Sequence, residues 1–318
     1  MSAGAAGRES EQEFRHDALL YAGDEEFVAG TVPFILTGIE AGEPVLVVVD
    51  KVKIGLLEAA LGGDAAHVEF ADMREVGGNP ARLIPAWRHF LDARKLPRTR
   101  VWGIGEPIWS GRSEAELVEC HRHEALLNLA FAEAAPLSLL CPYDTSALDP
   151  DVIAGAHCSH PTIVDDGSRR ASHAYCGLDA LAAPFSDPLP EPDVLVHELV
   201  FESEDLADLR RFIALRAHTA GLGAERGEDV VLAVNEVATN SVRHGGGGGT
   251  LRAWEEPDAL ICEVRDRGHF EDPLAGRRRP SGAQVGGYGL WLANQVCDLV
   301  QLRSHEDGST VRVHMRTF

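Results

Sequence analysis

Glu236 and Asn240 stand four residues apart in the stretch Val231 to Gly245, VLAVNEVATNSVRHG. At helical pitch that spacing stacks two side chains about one turn apart, so both reach one small volume beside the helix. A carboxylate there can take a proton from an attacking hydroxyl, and an amide carbonyl can hold a divalent cation that bridges phosphate oxygens. The same pair also describes an ordinary solvated helix face. The far side of the helical wheel shows what positions the pair: Leu232, Val234, Val237, Ala238 and Val242 form an apolar stripe, with Glu236, Asn240 and Arg243 opposite.

Three further features follow in chain order. Asp266-Arg267-Gly268 lies just past a strand end; a carboxylate there can accept a hydrogen bond from an adenine amino group, and a glycine lets the base approach the backbone. Taken alone it is a turn. Gly287, Gly289 and Leu290 belong to a GGYGL run that precedes a helix, where free backbone amides and the positive helix end suit phosphate. Its bland reading is a flexible turn. Gly308-Ser309-Thr310 enters the last strand, where the Thr310 hydroxyl can support a base or simply serve β propensity.

The elements around these residues follow from pattern. Leu195 to Phe201 reads as a strand, and Ser203-Glu204-Asp205 opens a helix, Leu206 to Ala220, with a cap and an acidic first turn. Strands at Thr250 to Trp254 and Ala259 to Arg265, a helix at Leu290 to Leu299 and a strand pair at Val300 to Arg303 and Thr310 to Met315 complete it. Helices on one side of a mixed sheet predict a two-layer α/β sandwich.

Before this region the pattern alternates between helical and strand-like runs. Helices are expected at Glu25 to Ala41, Ile54 to Leu61, Pro80 to Ala93 and Ser113 to Ala134. Strands are expected at Pro44 to Val49, Val68 to Ala71, Thr99 to Ile104 and Leu137 to Cys141. This predicts an α/β domain with a mainly parallel sheet. No GxxxxGK[ST] follows any of these strands, so the domain reads as a sensing or docking unit. Four prolines, Pro184, Pro188, Pro190 and Pro192, make residues 182–194 an extended linker. The organisation is then a tail over 1–14, a first domain over 15–181, the linker, and a second domain over 195–318.

Composition excludes several classes of function. A net charge of -21 over 318 residues opposes direct binding to nucleic acid or to an anionic membrane. The amino-terminal MSAGAAGRESEQEF lacks the apolar core of a signal peptide, and later apolar runs are strand-length, so a cytoplasmic location is expected. Six cysteines without CxxC pairs predict reduced thiols. His157, His160, His173 and Cys176 space as HxxH and HxxC, which is zinc-like; the aspartates and arginines between them suggest a surface loop instead.

The ordered set ExxxN, DxG, GxGL and a terminal GST strand resembles the GHKL (Bergerat-fold) ATPase superfamily, and within it the anti-sigma regulatory factors of the RsbA type. The resemblance implies ATP and Mg2+ as cofactors. It makes Glu236 the general base, Asn240 the Mg2+ ligand, Asp266 and Gly268 adenine contacts, and Gly287, Gly289 and Leu290 part of the phosphate side. Arg277-Arg278-Arg279 falls in the expected lid. A sigma factor and a STAS-type anti-anti-sigma antagonist are the implied partners, with phosphotransfer to a serine or threonine of the antagonist. The rival readings are an ATP-switched binding module without transfer and a sensor histidine kinase, whose box His197-Glu198-Leu199 imitates within a strand-like run. From His16 to Tyr175 the motifs FRHDALLYAGDEEFVAG, GEPVLVVV, NPARLIPAW, GIGEPIW, HEALLNLAF and CPYD resemble the MEDS sensory domain. That resemblance implies a small-molecule ligand for the first domain; a homodimer is left open. Glu106, Trp109, Glu119 and His123 are candidates for lining a pocket there.

Overall fold

The computed structural model describes residues 14–94, 99–132, 136–177, 179, 187–280 and 287–317. The expected tail, apart from Phe14, and linker residues 182–186 lie outside them. The chain divides into two compact units, Met1–Leu181 and Ala182–Phe318.

The first unit runs β1 (Arg15–Tyr21), α1 (Gly23–Glu40), β2 (Val45–Val49), α2 (Lys51–Leu61), β3 (Val68–Asp72), α3 (Met73–Val76), α4 (Leu83–Arg94), β4 (Val101–Gly105), α5 (Glu114–Ala130), β5 (Leu137–Asp144), α6 (Pro150–Ser159), β6 (Thr162–Asp165) and β7 (Ser168–Ala171). Its seven-stranded sheet has the order β3-β2-β4-β5-β1-β6-β7. All pairings are parallel except the β6–β7 hairpin. That hairpin turns at Asp166 and Gly167, both at positive φ (48° and 70°), as a tight two-residue turn demands.

β2 is VLVVV with every residue buried, the signature of a parallel strand covered on both faces. Asp50 caps α2 by accepting from the Lys53 amide, and Ser113 and Glu116 close a reciprocal capping box on α5. Helix α5 is buried along most of its length, including Glu116, Glu119, Arg122, His123 and Glu124. The expectation that all six cysteines are free fails at one pair: Cys158, near the end of α6, is bonded to Cys176. The other four thiols are free and buried.

The second unit runs β8 (His197–Glu202), α7 (Leu206–Thr219), α8 (Ala224–His244), β9 (Gly248–Glu256), β10 (Ala259–Asp266), α9 (Tyr288–Val296), β11 (Leu299–His305) and β12 (Gly308–Arg316). The sheet order is β11-β12-β10-β9-β8. Every pairing is antiparallel, so the sheet is not the mixed one that the pattern suggested. One face carries Leu251, Ala253, Leu260, Cys262, Val264, Val311 and Val313 into a core shared with Leu209, Ile213, Val234, Val237 and Ala293 of the helices. At about 25 cal/mol per Å2, that buried apolar face is the main force holding the helices on the sheet.

On the opposite face the fully buried Glu263 carboxylate binds Arg252, Arg265 and Arg312. Residues 187–194 do not run free: Leu189 is buried, and Glu191 pairs with Arg252 and Arg265. The face of α8 turned inward is Val230, Ala233, Val234, Val237, Ala238 and Ser241. Leu232, expected in the stripe, is 41% exposed, and Val242 is only partly buried.

Candidate functional site

Helix α8 starts after Gly223 and ends where Gly245 donates its amide to the Ser241 carbonyl, just before a glycine run. Anchoring its apolar side on the sheet leaves Glu236 and Asn240 half-buried on the flank facing α9. The second residue of α9 is Gly289, which is buried. A Cβ at Gly289 would stand 3.0 Å from Asn240 Nδ2 and 3.2 Å from both the Cβ and Oε2 of Glu236. Glycine therefore permits α9 to close on the polar face of α8, and the fold brings all three residues together. Gly287 sits at the N-cap of α9 with φ 86°, a conformation that only glycine adopts without strain, and leaves the first amides of the helix free of a side-chain cap.

A second cluster forms where β10 ends beside the end of α8. Asp266 Oδ1 accepts from the Gly268 amide and from the Ser309 hydroxyl, both at 2.8 Å. The space is tight: a Cβ at Gly245 would lie 2.6 Å from Asp266 Oδ2, and one at Gly268 would lie 2.9 Å from the His244 carbonyl oxygen. The Arg267 amide donates to the Gly245 carbonyl at 3.1 Å. Two donors on Oδ1 fix the carboxylate and leave Oδ2 as the oxygen with accepting capacity toward a further donor.

The hydroxyl that meets Asp266 thus belongs to Ser309, not to Thr310. In the β10–β12 register Asp266 pairs with Ser309, and Arg265 with Thr310. Successive residues of a strand face opposite ways, so Ser309 lies on the helix-covered face and Thr310 on the face of the Glu263 network. Leu290 is a core residue by its side chain and can offer a ligand only its backbone. Of the expected basic lid, Arg277 is buried, and Arg278 and Arg279 are exposed, so the three do not share one surface. Asn294 donates to the Gly276 carbonyl and holds the start of that segment against α9.

Two family models match this chain. Residues 15–161 match MEDS, the methanogen/methylotroph, DcmR sensory domain, and residues 199–315 match the histidine kinase-like ATPase domain. The chain is a MEDS domain followed by a histidine kinase-like ATPase domain. Among solved structures it is similar to the RsbU and RsbW domains of Rv1364c from Mycobacterium tuberculosis, with 18% identity, TM-score 0.30, and 39% of this chain and 32% of that one covered. It is also similar to the histidine kinase AdeS of Acinetobacter baumannii, with 11% identity, TM-score 0.22, and coverage of 39% and 69%. The chain thus spans about a third of the length of the former. No curated protein matches it. Among the described residues no helix is long and apolar enough to cross a membrane.

In the MEDS domain, Glu106 at the end of β4 meets Tyr21 at the end of β1. The Tyr21 hydroxyl donates to Glu106 Oε1 at 2.5 Å, and Lys53 Nζ donates to the same oxygen at 2.5 Å. Burial pushes the Glu106 carboxyl up to about 7, against the pull of Lys53. Burial, then the neighbouring Glu106 charge, keeps the Tyr21 hydroxyl protonated. Neither Tyr21 nor Lys53 is a candidate by sequence; their sole signal is that Tyr21 ends β1 and Lys53 lies in the first turn of the helix after β2, the side of an α/β sheet that binds ligands. Glu119 and His123 are both buried in α5. The zinc-like set does not assemble: Cys176 is tied to Cys158, His173 is exposed, and His160 turns inward to Glu124.

Proposed function

We propose that the ATPase domain binds ATP with Mg2+ and transfers the γ-phosphoryl group to a serine or threonine hydroxyl of a STAS-type anti-anti-sigma antagonist. The observation that carries this reading is the line of groups on one side of the domain. Glu236 and Asn240 are packed on Gly289 at the start of α9, and Asp266, oriented by Gly268 and Ser309, closes the end of α8. A general base, a cation ligand, free helix amides and an acceptor for a base amino group are the parts such a transfer needs.

In this reading Asn240 would hold Mg2+, which would supply positive charge against the phosphates. Glu236 takes the proton as the antagonist oxygen bonds to the γ-phosphorus; the bond from that phosphorus to the bridging oxygen breaks, and ADP leaves with the electron pair. The added phosphate puts about two negative charges at the antagonist surface. An acidic regulator repels it, releases the antagonist and retains its sigma factor. The MEDS domain supplies the regulatory input through a small ligand.

A histidine-kinase reading is disfavoured at the one residue that imitated its box. His197 opens β8 and pairs with Ala253, so it sits in a sheet rather than on a dimerising helix. Incubating the full chain with γ-labelled ATP and a candidate antagonist tests the proposal. Label is expected on the antagonist and is expected to vanish in Glu236→Gln while ATP binding persists. Tight ATP binding with no label favours the ATP-switched module, and wild-type transfer by Glu236→Gln removes the assigned base.

A further inference from the structure

In the MEDS domain four potential metal ligands from four different elements point at one another. His16 comes from β1, Glu124 from α5, Cys141 from β5 and His160 from the end of α6; all are buried, and their ligand atoms lie within 4.8 Å of one another. We propose that these residues form a tetrahedral site for one divalent transition-metal ion of the zinc class.

The distances fit. His16 Nε2 is 3.0 Å from Glu124 Oε2, His160 Nε2 is 3.3 Å from the same oxygen, and Cys141 Sγ is 3.4 Å from His16 Nε2. Metal bonds of about 2.0 Å to nitrogen or oxygen and about 2.3 Å to sulfur give tetrahedral edges of about 3.3 to 3.5 Å. Three of the six ligand-to-ligand distances thus match the edges that such an ion needs, and all six lie within 4.8 Å.

The hydrogen bonds behind the ligands point the same way. Asn128 Nδ2 donates to the Ser159 carbonyl at 2.7 Å, which fixes its Oδ1 toward His16 Nδ1 at 3.0 Å. An amide oxygen only accepts, so His16 Nδ1 carries the proton. His160 Nδ1 lies 2.9 Å from the Ala156 carbonyl oxygen, which also only accepts, so that nitrogen is likewise the donor. Each neutral ring therefore turns the Nε2 lone pair inward, as an outer carbonyl does for a metal-bound histidine.

Two imidazole lone pairs then face an acceptor-only carboxylate in a fully buried pocket. His160 Nε2 and Glu124 Oε1 make no hydrogen bond there. Something positive must lie between them, a proton or a cation. A cation accounts for more of the cluster: one thiolate and one carboxylate balance two positive charges, and the two neutral imidazoles complete a set of four. The donor set of two nitrogens, a sulfur and an oxygen, with no fifth such ligand grouped with it among the described residues, suits zinc rather than magnesium or calcium.

The test uses the full-length, untagged chain. Elemental analysis after purification is expected to find about one zinc per chain. Chelation followed by Co2+ titration is expected to give intense tetrahedral bands and a thiolate-to-cobalt charge-transfer band. Cys141→Ser is expected to lose that band and to lower metal occupancy by about tenfold or more, whereas Cys120→Ser, at a buried thiol that donates to the Pro107 carbonyl, keeps both. Should Cys141→Ser fail to fold, the wild-type band still decides, because no second group of three such ligands exists among the described residues. Zinc at trace level together with only octahedral Co2+ spectra overturns the site and leaves a proton-bridged His–Glu pair. A charge-transfer band that survives in a folded Cys141→Ser variant overturns it as well.

Discussion

Gly289→Ala separates binding from folding in the ATPase domain. The new methyl would sit 3.0 Å from Asn240 Nδ2 and 3.2 Å from Glu236 Oε2, where ordinary contact begins near 3.4 Å. Relief requires the Asn240 and Glu236 side chains to retreat by about 0.4 Å, the difference between 3.4 and 3.0 Å. Misplacing a positioned group by about 1 Å costs catalysis on the order of a hundredfold, and on that scale a retreat of about 0.4 Å corresponds to roughly sixfold, carried over as the expected loss of affinity for ATP with Mg2+, or ~1 kcal/mol. The fold itself loses little. Gly289 lies within α9 outside the left-handed region, and alanine there is favoured over glycine by up to about 1 kcal/mol of helix propensity.

The expected pattern is therefore weaker nucleotide binding with unchanged or slightly raised stability. Titration calorimetry with ATP and Mg2+ gives the first quantity, and urea melts of the same preparation give the second. An affinity within twofold of wild type would refute the placement of phosphate against Gly289. A loss of binding that comes with a destabilisation of about 2 kcal/mol or more would also refute it, since the added methyl would then act on the fold.

Two further outcomes follow from the geometry. Ser309→Ala removes a 2.8 Å hydrogen bond to the Asp266 carboxylate and is expected to weaken nucleotide binding about tenfold, in line with ~1.5 kcal/mol for a bond to a charged group; Thr310→Ala, on the other face of β12, is expected to change it less than twofold, and a fluorescent nucleotide analogue measures both. In the MEDS domain, burial raises the Glu106 carboxyl from 4.5 to about 7, so the folded state favours the protonated acid. Its contribution to stability is complete below pH 4.5 and is lost as the pH rises through 7. The loss is roughly 3 kcal/mol at ~1.4 kcal/mol per unit. Urea melts of wild type and Glu106→Gln at pH 5 and pH 8 are expected to show the wild type losing stability relative to the variant as the pH rises; a constant difference would count against the buried carboxyl.

The pairs that meet in the ATPase half were legible because each is local in sequence. Glu236 and Asn240 share a helix turn, Asp266 and Gly268 share a turn, and Gly287 and Gly289 flank one helix start, so spacing alone groups them. Phase was harder to read. Leu232 fits an apolar stripe on paper, but the face that packs shares only Val234, Val237 and Ala238 with it, takes Val230 and Ala233 instead of Leu232, and hides Ser241, whose hydroxyl is satisfied by the Val237 carbonyl at 3.3 Å. The choice between Ser309 and Thr310 depends on register with β10, and two adjacent hydroxyls carry no register signal of their own.

The MEDS half resisted for a different reason: its polar groups are satisfied across the sheet rather than along the chain. β1 begins Arg15-His16-Asp17, which reads as surface, yet His16 and Asp17 are buried. Asp17 is held by a bidentate Arg169 at 2.9 and 3.0 Å, and His16 by Glu124 and Asn128, more than a hundred residues away. A strand whose polar side chains find partners only after β5, β7 and α5 have assembled around it shows no alternating pattern of its own. The same logic explains His160: by spacing it groups with His157, His173 and Cys176, but the parallel sheet sets β1 between β5 and β6 and draws it to His16 instead. Sequence spacing finds ligands that one turn or hairpin supplies. Four ligands from four separate elements become a site only through the strand order, so in a parallel sheet the first place to look for buried chemistry is the strand that looks least like one.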